Sequence, residues 1–411
     1  MEEPEDRYAK AVFYSHDTVG LGHLRRTLLI CDGLAARFHQ RFATLVVTGS
    51  PMAHAFRIPS SVDYVKLPSV AKVENEVYRS RSLALPFVEI LRLREEIVFQ
   101  TVANYRPDIF FVDNVPLGMK GEIRKALDYI RTNLRNTATI LSLRDILDDG
   151  RHIVPLWRRQ GIFEAIDRYF DRVCIYGQPL VFNPMEEYEW PESIRRKACF
   201  CGYLPRAVDK EASRATRRKH LPEGGKLVFV AVGGGSDGAP IVSNYLQALP
   251  SLYQEVTVSS IVLLGPDMDA GVAEKLVAEH ETDSRVSFME YCDDPLPYMD
   301  AADVVVSMAG YNTISEILAL RKQAVVVPRV HPRQEQLIRS RRLQELGLLR
   351  MIHPDELNPS RLAQELLAQL ASGAQDPRAK LEFTGLDRLA GEVAALMNQG
   401  RAGAVWAAPG A

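Results

Sequence analysis

The sequence predicts an α/β protein with two Rossmann-like, doubly wound parallel-sheet domains that face a cleft. Short β-branched runs alternate with amphipathic helical stretches along most of the chain, a pattern typical of parallel sheets covered on both faces. A glycine-rich turn follows the first strand of each half. The alternation breaks around 184–206, where prolines and charges cluster. Since 411 residues are many for one domain, we expect domains at 1–196 and 197–411.

Composition excludes several classes of function. The formal net charge of −2 disfavours a dedicated nucleic-acid binder. No apolar run approaches the ~18–20 residues of a transmembrane helix, and the acidic N-terminus lacks a signal-peptide pattern. The odd number of cysteines, mostly in apolar contexts, predicts reduced thiols in a cytoplasmic protein. Cys199 and Cys201 are too close in sequence for a zinc half-site and have no partner pair, so we expect no metal.

The first half carries a candidate ligand loop between strand Ala11–Ser15 and helix Leu24–Phe38. A glycine-rich strand-to-helix turn at this place is a ligand loop by default. It is not a P-loop, because no Gly-Lys-Ser/Thr follows, and Arg25 stands where a dinucleotide fingerprint has its third glycine. Further strands are predicted at Thr44–Thr48, Val62–Leu67, Ile109–Val112, Thr139–Leu143 and Arg172–Tyr176, with helices at Val88–Tyr105 and Gly121–Leu134.

Two other features of this half concern function. The polar, irregular segment Val70–Leu83 is long enough to be a functional loop. Asp113 and Asn114 follow a predicted strand at its carboxyl end. Because ligands bind at this edge of a parallel sheet, we expect these two residues on the acceptor side of the cleft.

The second half is organised around Asp303–Gln336. A buried strand, Val304–Val306, leads into a turn that contains Gly310, which we expect to adopt a conformation other residues resist. A helix start at Thr313–Glu316 and a strand at Ala324–Val327 follow. Such a turn places N–H groups at a helix N-terminus, where doubly wound sheets bind phosphates. Strands are also predicted at Leu227–Val232, Ser259–Leu264 and Val286–Met289, with helices from Pro240 and at Gln334–Leu346, Ser360–Ala371 and Leu386–Met397.

The loop Gly233–Gly238 formally matches the dinucleotide fingerprint, so an NAD site must be weighed. That fingerprint requires an acid ~20 residues further on, at the end of the next strand. Asp267 lies beyond Gly265-Pro266 and is too far along, so we favour a phosphate contact by Ser236. Asp267 and Asp269 precede a helical stretch, where aspartates serve as caps, and they do not predict a metal site.

Four stretches together resemble the MurG-type branch of the GT-B glycosyltransferases, which has a family 28 C-terminal domain. The match is specific as an ordered set and weak for any motif alone. The sequence departs from it at Met308, where the family has an arginine, and in an N-terminal loop with fewer glycines. The stretches are Gly20–His23 with Arg26, Gly233–Ala239, Met289–Tyr291 with Asp294 and Ala302-Asp303, and Gly310–Glu316 with Pro328 and Glu335-Gln336.

The resemblance implies inverting transfer of a hexose-type sugar from a nucleotide sugar, most simply a UDP-sugar. It implies no metal or other cofactor, and an unidentified small-molecule or lipid-linked acceptor. The protein would be cytoplasmic, and peripheral membrane attachment stays open. The resemblance implies donor contacts by Gly20, Gly22, Gly234, Ser236, Met289, Gly310, Asn312, Thr313, Glu316, Glu335 and Gln336.

Two alternatives share this architecture. The Gly-x-Gly-His-x-x-Arg spacing of Gly20, Gly22, His23 and Arg26 also resembles PseG-type nucleotide-sugar hydrolases, which transfer the sugar unit to water. A protein that binds nucleotide sugars without chemistry is the third hypothesis. Each would retain the same donor-binding residues.

Several candidate site residues also have a structural interpretation. His23 at a helix start would be kept neutral by the helix dipole and act as general base, with His16 as rival; a turn cap is the alternative. Glu316 is assigned to the ribose hydroxyls by the resemblance, although Thr313-x-x-Glu316 also fits a capping box. Glu335 and Gln336 are assigned to the donor sugar, although residues there also serve as first-turn caps.

Overall fold

A computed structural model of the chain describes residues 8–16, 22–55, 57–74, 77–221, 224–235, 237–372, 376 and 380–399. The chain divides into two compact units. Unit 1 comprises Met1–Asp145, Gly150–Leu204 and Thr384–Ala411, and unit 2 comprises Ile146–Asp149 and Pro205–Phe383.

Unit 1 is built on a parallel sheet with the order β3-β2-β1-β6-β7-β8-β9. The central strands β6 and β7 are mostly apolar, and all their residues are buried except the two ends of β7, as expected where helices cover both faces. A separate antiparallel pair, β4-β5, stands outside this sheet. The strands are β1 (Ala9–Ser15), β2 (Phe42–Thr48), β3 (Val62–Lys66), β4 (Val70–Glu74), β5 (Val77–Ser80), β6 (Ile109–Asp113), β7 (Ala138–Arg144), β8 (Arg172–Tyr176) and β9 (Ala198–Phe200).

Helices separate most of the strands of unit 1, which gives the predicted crossover connections. They are α1 (Gly22–Arg37), α2 (Phe87–Tyr105), α3 (Arg124–Asn133), α4 (Gly150–Gln160), α5 (Ile162–Tyr169), α6 (Pro184–Glu187) and α7 (Glu192–Arg195), with 3₁₀ turns at Ala53–Ala55 and Met119–Gly121.

Unit 2 has a parallel sheet with the order β12-β11-β10-β13-β14-β15. Its strands are β10 (Lys226–Ala231), β11 (Val258–Leu263), β12 (Val286–Met289), β13 (Val304–Ser307), β14 (Gln323–Val326) and β15 (Arg350–Met351). Its helices are α8 (Lys210–His220), α9 (Ala239–Glu255), α10 (Ala270–Ala278), α11 (Leu296–Ala301), α12 (Tyr311–Ala319), α13 (Glu335–Glu345) and α14 (Pro359–Ala371), with a 3₁₀ turn at Pro354–Glu356. The last helix among the described residues, α15 (Gly385–Gln399), belongs to unit 1.

These sheets confirm the predicted pair of doubly wound α/β domains, and the strands that the sequence predicts lie within two residues of the observed bounds. The division of the chain differs from the expected boundary at 196/197, because β9 still pairs with β8 in unit 1. The division also cannot be a single cut, since the described residues 384–399 return to unit 1. There Leu386 packs on Gly33 of α1, and Glu392 accepts a 2.8 Å hydrogen bond from Arg172.

The segment expected as an irregular loop, Val70–Leu83, is mostly a β-hairpin of β4 and β5. The physical reason is a small apolar cluster beneath it: Val70 and Tyr78 pack against Ile90 and Met119. An isolated two-stranded hairpin is marginal in water, and this contact gives it a face to bury.

No helix among the described residues combines the length and the apolar character that crossing a membrane requires.

Candidate functional site

Each sheet reverses its strand order at one point, and each unit carries a group of predicted site residues there. In unit 1 the reversal lies between β1 and β6, and in unit 2 between β10 and β13. Ligands of doubly wound sheets bind outside the carboxyl ends of the strands at such a switch point. The fold therefore gives each group the position expected of a binding site.

In unit 1 the switch point brings His23, Arg26 and Asp113 together. Asp113 ends β6, while His23 and Arg26 lie one turn apart on α1. The His23 Nδ1 is 2.5 Å from Asp113 Oδ2, and Arg26 Nη2 donates to Asp113 Oδ1 at 2.5 Å. The side chains of Arg26 and Asp113 are only 3% and 6% exposed. The buried carboxylate therefore bridges the Arg26 guanidinium and the His23 imidazole.

The charge of Asp113 determines which nitrogen of the His23 ring carries the proton in their hydrogen bond. Burial alone would raise the pKa of this carboxyl, but Arg26 and His23 together lower it well below its usual range. An ionised carboxylate can only accept, so Nδ1 of His23 carries the proton in this hydrogen bond. When the imidazole is neutral, the lone pair lies on Nε2, which is the arrangement a general base requires.

The other predicted residues of unit 1 have different surroundings. Asn114 is 7% exposed and adopts a left-handed φ of 63°, and the carboxylate of Asp113 is engaged by His23 and Arg26. The His16 ring lies edge-on to His23 with centroids 6.0 Å apart. Gly22 is the exposed first residue of α1. Gly20 lies outside the described residues, so its expected contact stays a prediction.

In unit 2 the loop after β10 packs against the segment after β11. Gly235 has φ +95°, and a Cβ there would lie 2.4 Å from the carbonyl oxygen of Leu264, so the backbone requires glycine. Asp267 N–H donates to the Gly234 oxygen at 2.6 Å. Met289 ends β12, and its carbonyl oxygen accepts from Leu264 N–H at 2.9 Å. This chain of contacts brings Gly234 and Met289 to one edge of the sheet, while Ser236 lies outside the described residues.

One of the two aspartates after this loop caps a helix, as predicted. Asp269 is the N-cap of α10 and accepts a hydrogen bond from Val272 N–H at 3.1 Å. Helix capping accounts for this aspartate without a metal.

The second loop of the switch point begins α12, and two expectations about it are wrong. Gly310 is the N-cap, with an ordinary φ of −62°, so the backbone conformation does not require glycine. A Cβ at Gly310 would meet nothing within 4 Å, so the position is open to a ligand. The helix starts at Tyr311, which places Thr313 and Glu316 inside it. Since Thr313 is not the N-cap, the capping box does not form.

Helix α12 displays the remaining residues of this group. Asn312 and Thr313 are half-buried in its first turn, where backbone N–H groups have no intrahelical acceptor. Glu316 is 6% exposed and faces Arg206, whose Nη1 lies 2.8 Å from Glu316 Oε1. The other branch of Arg206 donates to Asp294 at 2.8 Å. Burial alone would lower the pKa of Arg206, but the two carboxylates raise it.

The start of α13 carries Glu335 and Gln336, which are both buried. The helix begins after Gln334, without a side-chain cap. Gln336 Oε1 instead accepts from Arg329 N–H at 3.0 Å, and Glu335 lies 3.5 Å from the Arg329 guanidinium. Arg329 also reaches Asp237 of the glycine loop at 3.6 Å. First-turn capping therefore does not explain these side chains, and their contact with a sugar stays a prediction.

Three arginines complete the groups: Arg26, Arg206 and Arg329. In the sequence, Arg26 stands out only as part of a motif. No local signal marks Arg206, because its partner Glu316 lies 110 positions away. Arg329 has one near partner, Glu335, but its contact with Asp237 of the glycine loop spans 92 positions. Arg26 lies one helical turn after His23, a spacing that places both on one helix face and could have identified it.

Comparison with known proteins finds a family to which most of unit 2 is similar. Residues 228–385 match the glycosyltransferase family 28 C-terminal domain. This range includes both loops of the unit 2 switch point and the start of α13.

Two curated relatives match part of the chain. An uncharacterised glycosyltransferase of Methanopyrus kandleri is 28% identical over 184 residues, which cover 44% of this chain and 49% of the relative. The UDP-N-acetylglucosamine–N-acetylmuramyl-(pentapeptide) pyrophosphoryl-undecaprenol N-acetylglucosamine transferase of Proteus mirabilis is 30% identical over 141 residues. That match covers 34% of this chain and 39% of the relative, so the chain spans half or less of each.

A solved structure extends the likeness to nearly the whole chain. The crystal structure of MurG from Acinetobacter baumannii has a TM-score of 0.57 and covers 94% of this chain and 99% of its own. At 13% identity this likeness concerns the fold, which is the two-domain GT-B architecture.

Proposed function

We propose that this chain transfers a sugar from a nucleotide sugar to an acceptor. The proposal is supported by its MurG-like GT-B fold and by the match of residues 228–385 to the glycosyltransferase family 28 C-terminal domain. In finer terms, a hexose-type sugar moves from a UDP-sugar to a hydroxyl or amine, with inversion and without a metal. The observation that carries the proposal is the position of two loops within the matched residues 228–385. The glycine loop after β10 and the loop before α12 both lie at the switch point of one sheet.

Unit 2 binds the donor in this proposal. The first-turn N–H groups of α12 and those of the glycine loop face the diphosphate, because a helix N-terminus attracts anions. Gly310 allows the phosphate close to the backbone, since nothing occupies the space a Cβ would fill. Glu316 accepts hydrogen bonds from the ribose hydroxyls, and Met289 lies against the uracil ring of the nucleotide. Glu335 and Gln336 contact the sugar that is transferred.

Unit 1 supplies the base. The acceptor oxygen or nitrogen attacks the anomeric carbon as the bond from that carbon to the diphosphate oxygen breaks. The acceptor proton passes to Nε2 of His23, and Asp113 stabilises the imidazolium that forms. The charge that develops on the departing UDP is stabilised by the N–H groups in unit 2, which takes the place of a metal.

The donor can be tested by thermal shift with UDP, several UDP-sugars and NAD, since a ligand of the native state raises the apparent melting temperature. Stabilisation by UDP and one UDP-sugar, lost in Glu316→Ala, is expected. Stabilisation by NAD alone would overturn the donor assignment.

The reaction is then tested by UDP release in the presence of EDTA. The Proteus mirabilis relative is named for transfer to a pyrophosphoryl-undecaprenol lipid, so the acceptor panel includes lipid-linked and soluble acceptors. We expect UDP release that depends on one acceptor and falls at least about 100-fold in His23→Ala. Equal release without any acceptor would identify a hydrolase, and tight binding without turnover a binding protein. Full turnover in His23→Ala would exclude its role as base.

A further inference from the structure

Unit 1 contains a group of three thiols outside the proposed site. Cys174 lies on β8 and Cys199 on β9, directly opposite each other in the parallel pair. Cys201 follows two residues after Cys199 and so projects from the same face of the sheet. The three sulfur atoms all lie within 4.8 Å of one another, and Cys174 and Cys199 are 3.6 Å apart.

The three thiols of this cluster differ in their exposure. Cys174 and Cys201 are fully buried, whereas Cys199 is half-buried at the edge of the sheet. Cys199 therefore lies at the accessible side of the cluster, where a metal cation can reach the three sulfurs. The thiolate is the form of cysteine that binds metals.

We propose that Cys174, Cys199 and Cys201 form a three-sulfur site for a soft d¹⁰ metal cation, Cu(I) or Zn(II). Thiolates select these metals over magnesium or calcium. Around a metal at ~2.3 Å from each sulfur, the sulfurs lie roughly 3.7–4.0 Å apart, so the existing spacing needs only a small adjustment. The site uses all three thiols, whereas a disulfide would leave one of them over.

Metal binding at this site has a defined proton balance. The cation forms three metal–sulfur bonds as the thiols of Cys174, Cys199 and Cys201 release their protons to solvent. No oxidant or reductant is needed. Among the described residues, no fourth cysteine, histidine or carboxylate joins the group. This suits three-coordinate Cu(I), while Zn(II) would add a water to reach four ligands.

The test uses the full-length protein, reduced and freed of metal under nitrogen. Cu(I) is titrated in competition with bathocuproine disulfonate, and Zn(II) in competition with 4-(2-pyridylazo)resorcinol. We expect one equivalent of at least one metal per chain, with about three protons released when three thiols become thiolate ligands. Cys199→Ser should weaken binding at least about 100-fold, because the loss of outer partners alone costs about 10–100-fold.

Matched variants make the result decisive. Cys292→Ser, in unit 2 and outside the cluster, should bind like the wild type. If Cys199→Ser misfolds by circular dichroism, Cys201→Ala serves as the second ligand variant. Substoichiometric uptake of both metals by the wild type would overturn the proposal, as would equal uptake by Cys199→Ser. The proposal would also be overturned if the protein as isolated contains a Cys174–Cys199 disulfide and the reduced protein takes up no metal. The inference is independent of the proposed sugar transfer.

Discussion

Asp113 is the residue on which the arrangement in unit 1 depends. Its carboxylate holds His23 through one oxygen and Arg26 through the other. Breaking a buried ion pair by removing one partner leaves the other charge uncompensated, which is costly. The same carboxylate therefore contributes both to the orientation of the ring and to the stability of the unit.

We predict that Asp113→Asn lowers the free energy of unfolding at pH 7 by about 3–5 kcal/mol, because Arg26 keeps its buried charge without a counter-ion. The effect should depend on pH. The pKa of Asp113 is lowered in the folded state, so its contribution is fully present above the unfolded pKa of about 3.9 and is lost progressively as pH falls from there through the lower folded-state pKa. Urea unfolding at pH 7 and pH 3 measures the difference between variant and wild type, which should shrink at pH 3.

The control for this prediction is Glu96→Gln. Glu96 pairs with Lys125, and both side chains are more than 40% exposed, so the cost should be about 0–1 kcal/mol. An equally large loss in Glu96→Gln, or no loss in Asp113→Asn, would contradict the account of the buried bridge.

Glu316 presents a second residue-scale question, because its carboxylate is paired with Arg206. If Glu316 binds the ribose, Glu316→Gln should weaken UDP binding about 10-fold or more, since hydrogen bonds to charged groups contribute about 1.5–3 kcal/mol. Isothermal titration with UDP measures this. Glu365→Gln is the matched control, because Glu365 is a largely buried carboxylate of α14 that pairs with Arg361. Equal loss of affinity in both variants would indicate a structural effect.

At the scale of elements, the two loops of the unit 2 switch point use glycine for different reasons. Gly235 is fixed by its positive φ and by the backbone of Leu264, whereas Gly310 has an ordinary φ and open space beside it. The first glycine is a requirement of the fold. We attribute the second to the ligand.

We predict that alanine mainly affects stability at Gly235 and mainly affects UDP binding at Gly310. Gly235→Ala should lower the free energy of unfolding by about 1–3 kcal/mol, the usual cost of a strained backbone. Gly310→Ala should cost about 1 kcal/mol or less, the loss of a favourable N-cap, yet weaken UDP binding more than any loss of stability explains. Chemical denaturation and UDP titration of both variants measure this. Normal UDP affinity in Gly310→Ala would argue against a ligand at that position.

At the scale of the whole molecule, the last helix determines where the units divide. α15 packs on unit 1 through Leu386, which fills the space beside Gly33, and Arg37 pairs with Asp387 at 2.6 Å. α15 therefore completes the core of the unit that contains β1 and α1.

We predict that Leu389→Ala, a fully buried position of α15, destabilises unit 1 by about 2–5 kcal/mol, the cost of a core cavity. Hydrogen exchange read by mass spectrometry should show lost protection in β1, β8 and β9. Leu366→Ala, equally buried in α14 of unit 2, should instead expose β13 and β14. Protection lost from β10 and β13 in Leu389→Ala would contradict this assignment of α15.

The sequence by itself determined the fold class and most of the strands and helices. β-branched runs and helical periodicity depend on neighbouring residues, so the chain displays them directly. It also located the glycine turns and His23, because the residue types that a tight turn or a phosphate requires stand next to one another in sequence. The family resemblance carried by those motifs agrees with the match of residues 228–385.

Only the tertiary structure decided which distant residues meet. Asp113 contacts His23 because β1 and β6 are neighbours in the sheet, and Cys174 joins Cys199 because β8 pairs with β9. The place of α15 and the burial of the β4-β5 hairpin were likewise set by packing between elements far apart in the chain. Strand order and helix docking depend on the total apolar surface that the whole unit buries. That total cannot be inferred from any local stretch of sequence.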